Sequence, residues 1–190
     1  MRWLKGNTYT KSLISLALLA LFYACTKQEP FDTASQEKFA GRYCNDPIAI
    51  NYNHGFPGTA DNSICIYPTD VFQGSFVLKD SVYDADFNLD TVLDYMVKFN
   101  TISLTNTRLS GFCINGDTVR LTADRYYRAA VDSTMLPDSS MIEGHVFCRG
   151  VDTIKGNILK IEGDTPKIRI NFIIASDTGI NYHIGTGIKQ

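Results

Sequence analysis

Oxygen-bearing side chains recur at every second position from residue 84 onwards, a spacing that suits a calcium ion. The four residues are Asp84, Asp86, Asn88 and Asp90. Carboxylate and amide oxygens at such positions open the common calcium-binding loop, which next requires a glycine and then a bidentate glutamate. Leu89 and Tyr95 stand at those two positions. The stretch therefore predicts a solvated acidic hairpin tip, with weak calcium binding as the alternative.

Histidine is the side chain most often used for proton transfer near neutral pH, and His54, His145 and His183 lie far apart in the chain. No Gly-x-Ser-x-Gly nucleophile elbow accompanies them, and no glycine-rich phosphate loop follows a predicted strand. No pair of carboxylates stands in a recognisable glycosidase context. The sequence therefore predicts a protein that is not an enzyme and that needs no cofactor.

Two tyrosines between two arginines form the remaining cluster with binding chemistry. Tyr126 and Tyr127 are flanked by Arg125 and Arg128, and this combination could face a sugar or a peptide. The alternative is one buried tyrosine beside one exposed residue at a sheet edge. A nucleic acid is not expected as a partner, because the formal net charge is −2 and phosphate neutralisation requires a basic surface.

Cysteines supply the clearest covalent chemistry. Cys44, Cys65, Cys113 and Cys148 are an even number in a chain with an export signal, described below, and such cysteines form disulfides by default. Three connectivities are open, and we favour the pairing of neighbours, Cys44–Cys65 and Cys113–Cys148. Zinc is the alternative, but no Cys-x-x-Cys pair and no clustered histidine supports it, so no metal is assigned.

Turn-forming residues fill the segment between the first two cysteines. Asp46, Pro47, Asp61 and Asn62 suit turns, and the three oxygen-bearing side chains could instead bind calcium. The pattern Cys-x-Asp-Pro-x-Ala-x-Asn-Tyr from residue 44, closing on Ser-x-Cys-x-Tyr from residue 63, resembles a cysteine-bracketed module of secreted and surface proteins of Gram-negative bacteria. The resemblance implies a loop closed by a disulfide in the N-terminal part of the exported protein.

The N-terminus carries a basic start, an apolar run over residues 13–24, and Cys25 directly after Ala24. The run is too short to span a bilayer, which takes roughly 20 residues, and it predicts the helix of a signal peptide. Residues 21–25 resemble a bacterial lipoprotein signal. The resemblance implies cleavage before Cys25, acylation of Cys25 and membrane attachment through the acyl chains, and Thr26 suits an outer-membrane destination. Plain secretion is the alternative.

Apolar residues alternate with polar ones from Val71 onwards, the period of half-buried strands. Strands are predicted over residues 72–83, 95–100, 141–149, 154–161 and 168–174. Turns are predicted at Asn115-Gly116 and at Asp177-Thr178-Gly179, and one short helix near residues 35–39. The pattern predicts an all-β fold, an antiparallel barrel or sandwich. Glycines 74, 111, 144 and 156 fall inside strand-like runs and suit bends or bulges.

Gly74-Ser75-Phe76 at the first strand, Ile142-Glu143-Gly144-His145 and the terminal strand pair resemble the small lipocalin-like β-barrel lipoproteins of Gram-negative bacteria. The predicted organisation is a lipoprotein signal peptide (1–24), a lipidated tether (25–38), a cysteine-bracketed loop module (39–68) and an antiparallel β domain (69–190). The expected function is a non-enzymatic binding or accessory module at the outer membrane, periplasmic or surface-exposed. Its partner would be an envelope protein, a glycan or a small apolar ligand. The alternatives are an assembly lipoprotein that pairs with an envelope complex, and an envelope hydrolase.

Overall fold

The computed structural model describes residues 41–53, 58–113, 116–148 and 150–190. The chain divides into two compact units, one of Met1–Arg42 with Pro57–Thr59 and one of Tyr43–Phe56 with Ala60–Gln190. In the first unit, the Thr59 N–H donates a hydrogen bond to the Gly41 carbonyl at 2.9 Å. The predicted signal peptide, Cys25 and the helix predicted near residues 35–39 lie outside the described residues.

The described residues form short and long strands, one α-helix and one 3-10 turn. The strands are β1 (Arg42–Tyr43), β2 (Thr59–Ala60), β3 (Gly74–Tyr83), β4 (Leu89–Thr101), β5 (Asn106–Ser110), β6 (Val119–Ala123), β7 (Arg128–Val131), β8 (Thr134–Met135), β9 (Met141–Ile142), β10 (His145–Phe147), β11 (Asp152–Ile161), β12 (Lys167–Ser176) and β13 (Gly179–Lys189). The helix α1 spans Pro68–Phe72 and the 3-10 turn spans Asn62–Ile64. Within the described ranges, no helix is long and apolar enough to cross a membrane.

Eight of these strands close into an antiparallel barrel in the second unit, in the order β11-β12-β13-β3-β4-β5-β6-β7. Closure comes from the pairing of β7 with β11, which places Ala129 opposite Ile158. The short strand β10 pairs further along the same edge of β11, with His145 opposite Ile154. The predicted all-β fold is confirmed, and of the two predicted architectures the structure adopts the barrel.

The last strand pair shows how the sequence pattern produces the barrel wall. Ile168, Ile170 and Phe172 on β12 are at most 1% exposed, and the polar residues between them face outwards. Side chains of a strand alternate between its two faces, so the pattern fixes which face is inside. The predicted turn is confirmed, because β12 ends at Ser176 and pairs with Gly179 at the start of β13.

The core occupies the inside of the barrel. Its buried members are Phe72, Phe76, Leu78, Val97, Phe99, Leu109, Val119, Leu121, Ala123, Ala129, Phe147, Ile154, Ile158, Ile168, Ile170 and Phe172. The rings of Phe76 and Phe99 meet edge-on with centroids 5.5 Å apart, and Phe72 lies 6.0 Å from Phe99. Aromatic rings in such arrangements contribute beyond their buried area.

The helix α1 corrects the prediction that strand character begins near Val71. Pro68 occupies the first turn, where its missing N–H costs nothing, and the Asp70 carboxylate accepts the Tyr67 N–H at 2.8 Å. These local contacts start a helix that delivers the ring of Phe72 into the core. The first barrel strand begins at Gly74, two residues after the predicted start at residue 72.

The structure also differs from the prediction at one strand segment and at one hairpin. The predicted strand 141–149 is interrupted between β9 and β10, where Gly144 has a φ of 101°. Around the predicted Asn115-Gly116 hairpin, β5 ends at Ser110 and β6 begins at Val119, so the connection is longer than a two-residue turn. Asn115 itself lies outside the described residues, and β5 and β6 do pair antiparallel as expected.

Candidate functional site

A carboxylate is buried among the apolar side chains of the barrel interior. Asp80 on β3 follows Phe76 and Leu78 at inward-facing positions, and its side chain is 0% exposed. The residue opposite on β13 is Gly185, which carries no side chain and so leaves room for the carboxylate. Burying a charge is costly unless hydrogen bonds compensate, so the partners of Asp80 decide what this position does.

Two side chains from neighbouring strands converge on one oxygen of Asp80. The Tyr95 hydroxyl on β4 donates to Oδ2 at 2.8 Å, and Nδ1 of His183 on β13 is hydrogen-bonded to the same atom at 2.7 Å. The other oxygen, Oδ1, is buried and has no hydrogen-bond partner in the described part of the chain. We call Asp80, Tyr95 and His183 the interior polar cluster.

Tyr95 holds its proton firmly in this cluster. Burial raises the pKa of the Tyr95 hydroxyl far above its usual value of 10.0, and the nearby Asp80 charge and hydrogen bond raise it further. The hydroxyl is therefore a permanent donor at neutral pH. Its ring packs edge-on against Phe112 with centroids 5.3 Å apart, which fixes its orientation.

An aspartate bonded to histidine Nδ1 is also how hydrolases and metal sites orient an imidazole. In the described ranges, the hydrogen bond of His183 goes to Asp80, and no hydroxyl or thiol nucleophile bonds to the ring. No group of three His, Cys, Asp or Glu side chains among these residues could hold a metal ion. These hydrogen bonds connect β3, β4 and β13 inside the barrel.

From the sequence alone, His183 is a lone strand histidine, and neither Asp80 nor Tyr95 is among the predicted site residues. The alternation of Phe76, Leu78, Asp80 and Val82 along one face was the signal that could have found the buried aspartate. The pairing with His183, 103 residues later in the chain, follows from the barrel register alone. Of the other histidines, Nδ1 of His145 lies 3.4 Å from the Thr134 hydroxyl, and His54 lies outside the described residues.

The candidate calcium residues lie at the turn between β3 and β4. The Asp84 carboxylate accepts the N–H groups of Asp86 and Asn88, both at 2.9 Å. These bonds, led by the one from Asn88, hold the pKa of Asp84 below its usual range. Asp90 lies on β4 itself. Turn hydrogen bonds thus engage the Asp84 carboxylate, and weak calcium binding stays the untested alternative to a solvated hairpin tip.

Both favoured disulfides are present in the structure. Cys44 is bonded to Cys65, and Cys113 to Cys148, across 21 and 35 residues. Inside the first loop, the Asp61 side chain accepts the Ser63 N–H at 2.9 Å. Asp46 and Asn62 likewise accept backbone N–H groups of Ile48 and Asn45. The turn interpretation accounts for these three oxygen-bearing side chains.

The tyrosine–arginine cluster borders a cleft of about 390 Å³ lined by Ile50, Tyr52, Arg125 and Tyr126. Tyr126 is 72% exposed, and the Arg125 guanidinium lies over its ring, 5.2 Å from the centroid. Tyr127 is half-buried, and the Lys160 ammonium lies 5.1 Å from its ring centroid. Tyr126 is therefore the exposed tyrosine of the pair and Tyr127 the partly buried one. The exposed tyrosine borders the cleft.

Apolar side chains also cover part of the barrel exterior. Met96 on β4 and Ile188 on β13 both lie opposite Val77 on β3, so the three share a face. Val92 and Ile184 lie on the same face, separated from the first three by one row of polar residues. Their exposures run from 38% for Val77 to 58% for Met96. We call these five residues the outer apolar patch. Exposed apolar patches of this kind are typical of interaction surfaces.

Comparison with known proteins shows no family for this chain. No family model matches the chain, and no curated protein matches it either. A solved structure from Bacteroides ovatus, titled as a structural-genomics protein of unknown function, is similar at 13% identity with a TM-score of 0.42. The match covers 80% of this chain, and the chain spans 53% of that structure's length. The structure itself defines the class, a closed eight-stranded antiparallel barrel with two disulfides.

Proposed function

We propose that this protein is a lipocalin-like outer-membrane lipoprotein that acts as a non-enzymatic binding or accessory module. In this proposal Cys25 carries the acyl chains, and the barrel docks on another protein of the cell envelope. Two or more acyl chains give stable anchoring, because each buried CH₂ contributes about 0.8 kcal/mol. The two disulfides suit the oxidising compartments outside the cytosol.

The observation that carries the proposal is the contrast between the barrel interior and its outer wall. Phe76, Phe99 and Phe172 are at most 1% exposed and pack with the aliphatic core between the strands. On the outside, the outer apolar patch presents large apolar side chains from three adjacent strands. Covering an exposed apolar surface with a partner protein is favourable, because it removes apolar area from water. A protein partner therefore suits this arrangement better than a small apolar ligand inside the barrel.

The hydrolase alternative would need a nucleophile activated by His183. In the described ranges, the hydrogen bond of that ring runs from Nδ1 to Asp80, and no hydroxyl or thiol is bonded to the ring. An assembly lipoprotein that pairs with an envelope complex would use the same outer surface, so it differs from the proposal in partner and not in mechanism. Docking without chemistry is the function that these contacts support best.

Anchoring is tested by the variant Cys25→Ser in cells fed radiolabelled palmitate. We expect the wild-type protein to be labelled and to sediment with membranes, and the variant to lose both properties. The matched control is Cys113→Ser with Cys148→Ser, which removes cysteines without touching the proposed lipid site. Continued labelling of the Cys25→Ser protein would refute the lipoprotein proposal.

Docking is tested separately, by placing a photo-crosslinking amino acid at Met96 in the outer apolar patch. The control position is Asp164, which is exposed in the connection between β11 and β12. We expect a discrete adduct of higher mass from position 96 and none from position 164. Adducts of equal intensity from both positions, or none from position 96, would count against docking through this face.

A further inference from the structure

We propose that the cleft beside Arg125 and Tyr126 is a second binding site, for a saccharide that carries a carboxylate, such as a uronic acid. The site is separate from the outer apolar patch and does not depend on it. Among the described residues, the cleft is lined by Ile50, Tyr52, Arg125 and Tyr126. Its volume of about 390 Å³ lies within the range of small-ligand sites.

The position of Arg125 is fixed before any ligand arrives. Its Nη1 donates to the Pro47 carbonyl at 3.3 Å and its Nη2 donates to the Tyr126 hydroxyl at 3.2 Å. The bond to Pro47 ties the disulfide-closed loop to the turn that precedes β7. A guanidinium that is already held in place loses less conformational entropy when it binds a ligand.

Within the described ranges, no acidic side chain compensates the charge of Arg125. In the described part of the chain, no carboxylate forms an ion pair with Arg125, and two of its five N–H donors have acceptors. Asp124, the acidic neighbour in the same turn, accepts the N–H groups of Tyr126 and Arg128 instead. Asp46, beside Pro47, accepts the Tyr67 hydroxyl. The free donors of a fixed guanidinium suit a carboxylate, which they can bind in a bidentate manner.

The aromatic surface indicates what should carry that carboxylate. Tyr126 is 72% exposed, and Tyr52 and Ile50 add partly buried apolar surface to the same cleft. An exposed aromatic ring beside a polar anchor offers apolar area at one end and a hydrogen-bonding group at the other. A sugar ring has that composition, with C–H groups on its face and polar groups on its edge. A uronic acid therefore matches both halves of the cleft.

The test uses the full chain in detergent and two probes, trigalacturonic acid and its methyl ester, by isothermal titration. The ester keeps the rings and removes the charge. We expect the acid to bind with a dissociation constant on the order of 1 mM, which is about −4 kcal/mol, and the ester to bind about tenfold more weakly. Equal affinity of acid and ester would overturn the assignment of a carboxylate site.

Variants locate the binding. Arg125→Gln and Tyr126→Ala should each weaken binding of the acid about tenfold, since the lost group makes a charged hydrogen bond or a stacking contact. Tyr126→Phe keeps the ring and should lose much less. The control is Arg169→Gln, an exposed arginine on β12. Binding that survives Arg125→Gln in a variant with an unchanged circular dichroism spectrum would refute the site.

A peptide is the other carboxylate source that the same anchor could accept. An acetylated Gly-Glu-Gly amide serves as the third probe under the same conditions. Binding of this peptide at least as tight as that of trigalacturonic acid would show that the cleft does not select saccharides, and would overturn the proposal. Absence of peptide binding, together with binding of the acid, is the expected result.

Discussion

Asp80 is the residue at which burial and charge conflict most strongly. Its carboxylate is enclosed by the barrel, and one of its two oxygens takes both available donors, from Tyr95 and His183. A hydrogen bond to a charged group contributes about 1.5–3 kcal/mol, so removing either donor should be measurable. The interior polar cluster is therefore predicted to stabilise the barrel by joining β3, β4 and β13.

Replacing Tyr95 by phenylalanine should lower the free energy of unfolding by about 1–3 kcal/mol at pH 7, because one donor to a buried carboxylate is lost. The effect should depend on pH. The folded-state pKa of Tyr95 is raised above the unfolded value of 10.0, so above pH 10 the unfolded chain releases a proton that the folded protein keeps. The stabilisation is complete below pH 10 and declines above it by about 1.4 kcal/mol per pH unit.

Urea denaturation of wild type and Tyr95→Phe between pH 7 and about pH 11 measures this difference. The gap between the two proteins should be constant up to about pH 10 and should narrow above it. Tyr126→Phe is the control, since Tyr126 is 72% exposed and its loss should change stability little. A gap that widens above pH 10 would contradict the assignment.

At the scale of elements, the strand β11 depends on one glycine. Gly156 has a φ of 129°, and a Cβ atom there would lie 2.1 Å from the backbone oxygen of Asn171 on β12. Real Cβ atoms do not approach an oxygen so closely, so the two strands would have to separate. Strand pairing over Thr153–Ala175 to Ile161–Lys167 would be disturbed by any larger residue at this point.

The variant Gly156→Ala should lose about 2–4 kcal/mol of stability, because it combines an unfavourable φ with overlap of buried backbone. Gly163 is a matched control, since its φ is 151° but a Cβ atom there would have nothing within 4 Å. Gly163→Ala therefore isolates the backbone term. Thermal denaturation of both variants separates the two contributions, and equal losses would show that the close approach to Asn171 is unimportant.

The sequence predicted secondary structure correctly where a single alternation of apolar and polar residues covers the whole element. The alternation in β12 and the turn at residues 177–178 emerged as predicted. The strand prediction failed at residues 71–72, where apolar residues that continue the alternating pattern belong to α1. The capping contact of Asp70 with the Tyr67 N–H and the packing of Phe72 on Phe99 decide that segment. A period cannot distinguish a short helix from the start of a strand.

At the scale of the whole barrel, stability should be concentrated in the strands that pair along their full length. β12 pairs with β11 and β13, and β3 pairs with β13 and β4. By contrast, β8 and β9 have two residues each and pair with one another. Because local opening requires fewer contacts to break in a short hairpin, the two regions should differ in opening free energy.

Native-state hydrogen exchange should therefore find the slowest amides in β3, β12 and β13, and fast exchange in β8 and β9. The measurement is peptide-resolved mass spectrometry at neutral pH with the disulfides intact. β6, which is flanked by β5 and β7, is the internal comparison for a shorter barrel strand. Exchange of β12 as fast as that of β9 would contradict a barrel closed through β7 and β11.

The amino-acid sequence by itself determined the all-β class and the inward faces of the long strands, because the hydrophobic period and the turn residues are local properties of the chain. The even cysteine count indicated disulfides but left three pairings open, and the structure forms Cys44–Cys65 and Cys113–Cys148. Only the tertiary structure decided that the strands close through Ala129 and Ile158, that Asp80 meets His183, and that Arg125 lies by the loop at Pro47. Each of these contacts joins residues far apart in sequence, and their meeting depends on strand order and register. A pattern within one strand carries no information about which distant strand lies beside it.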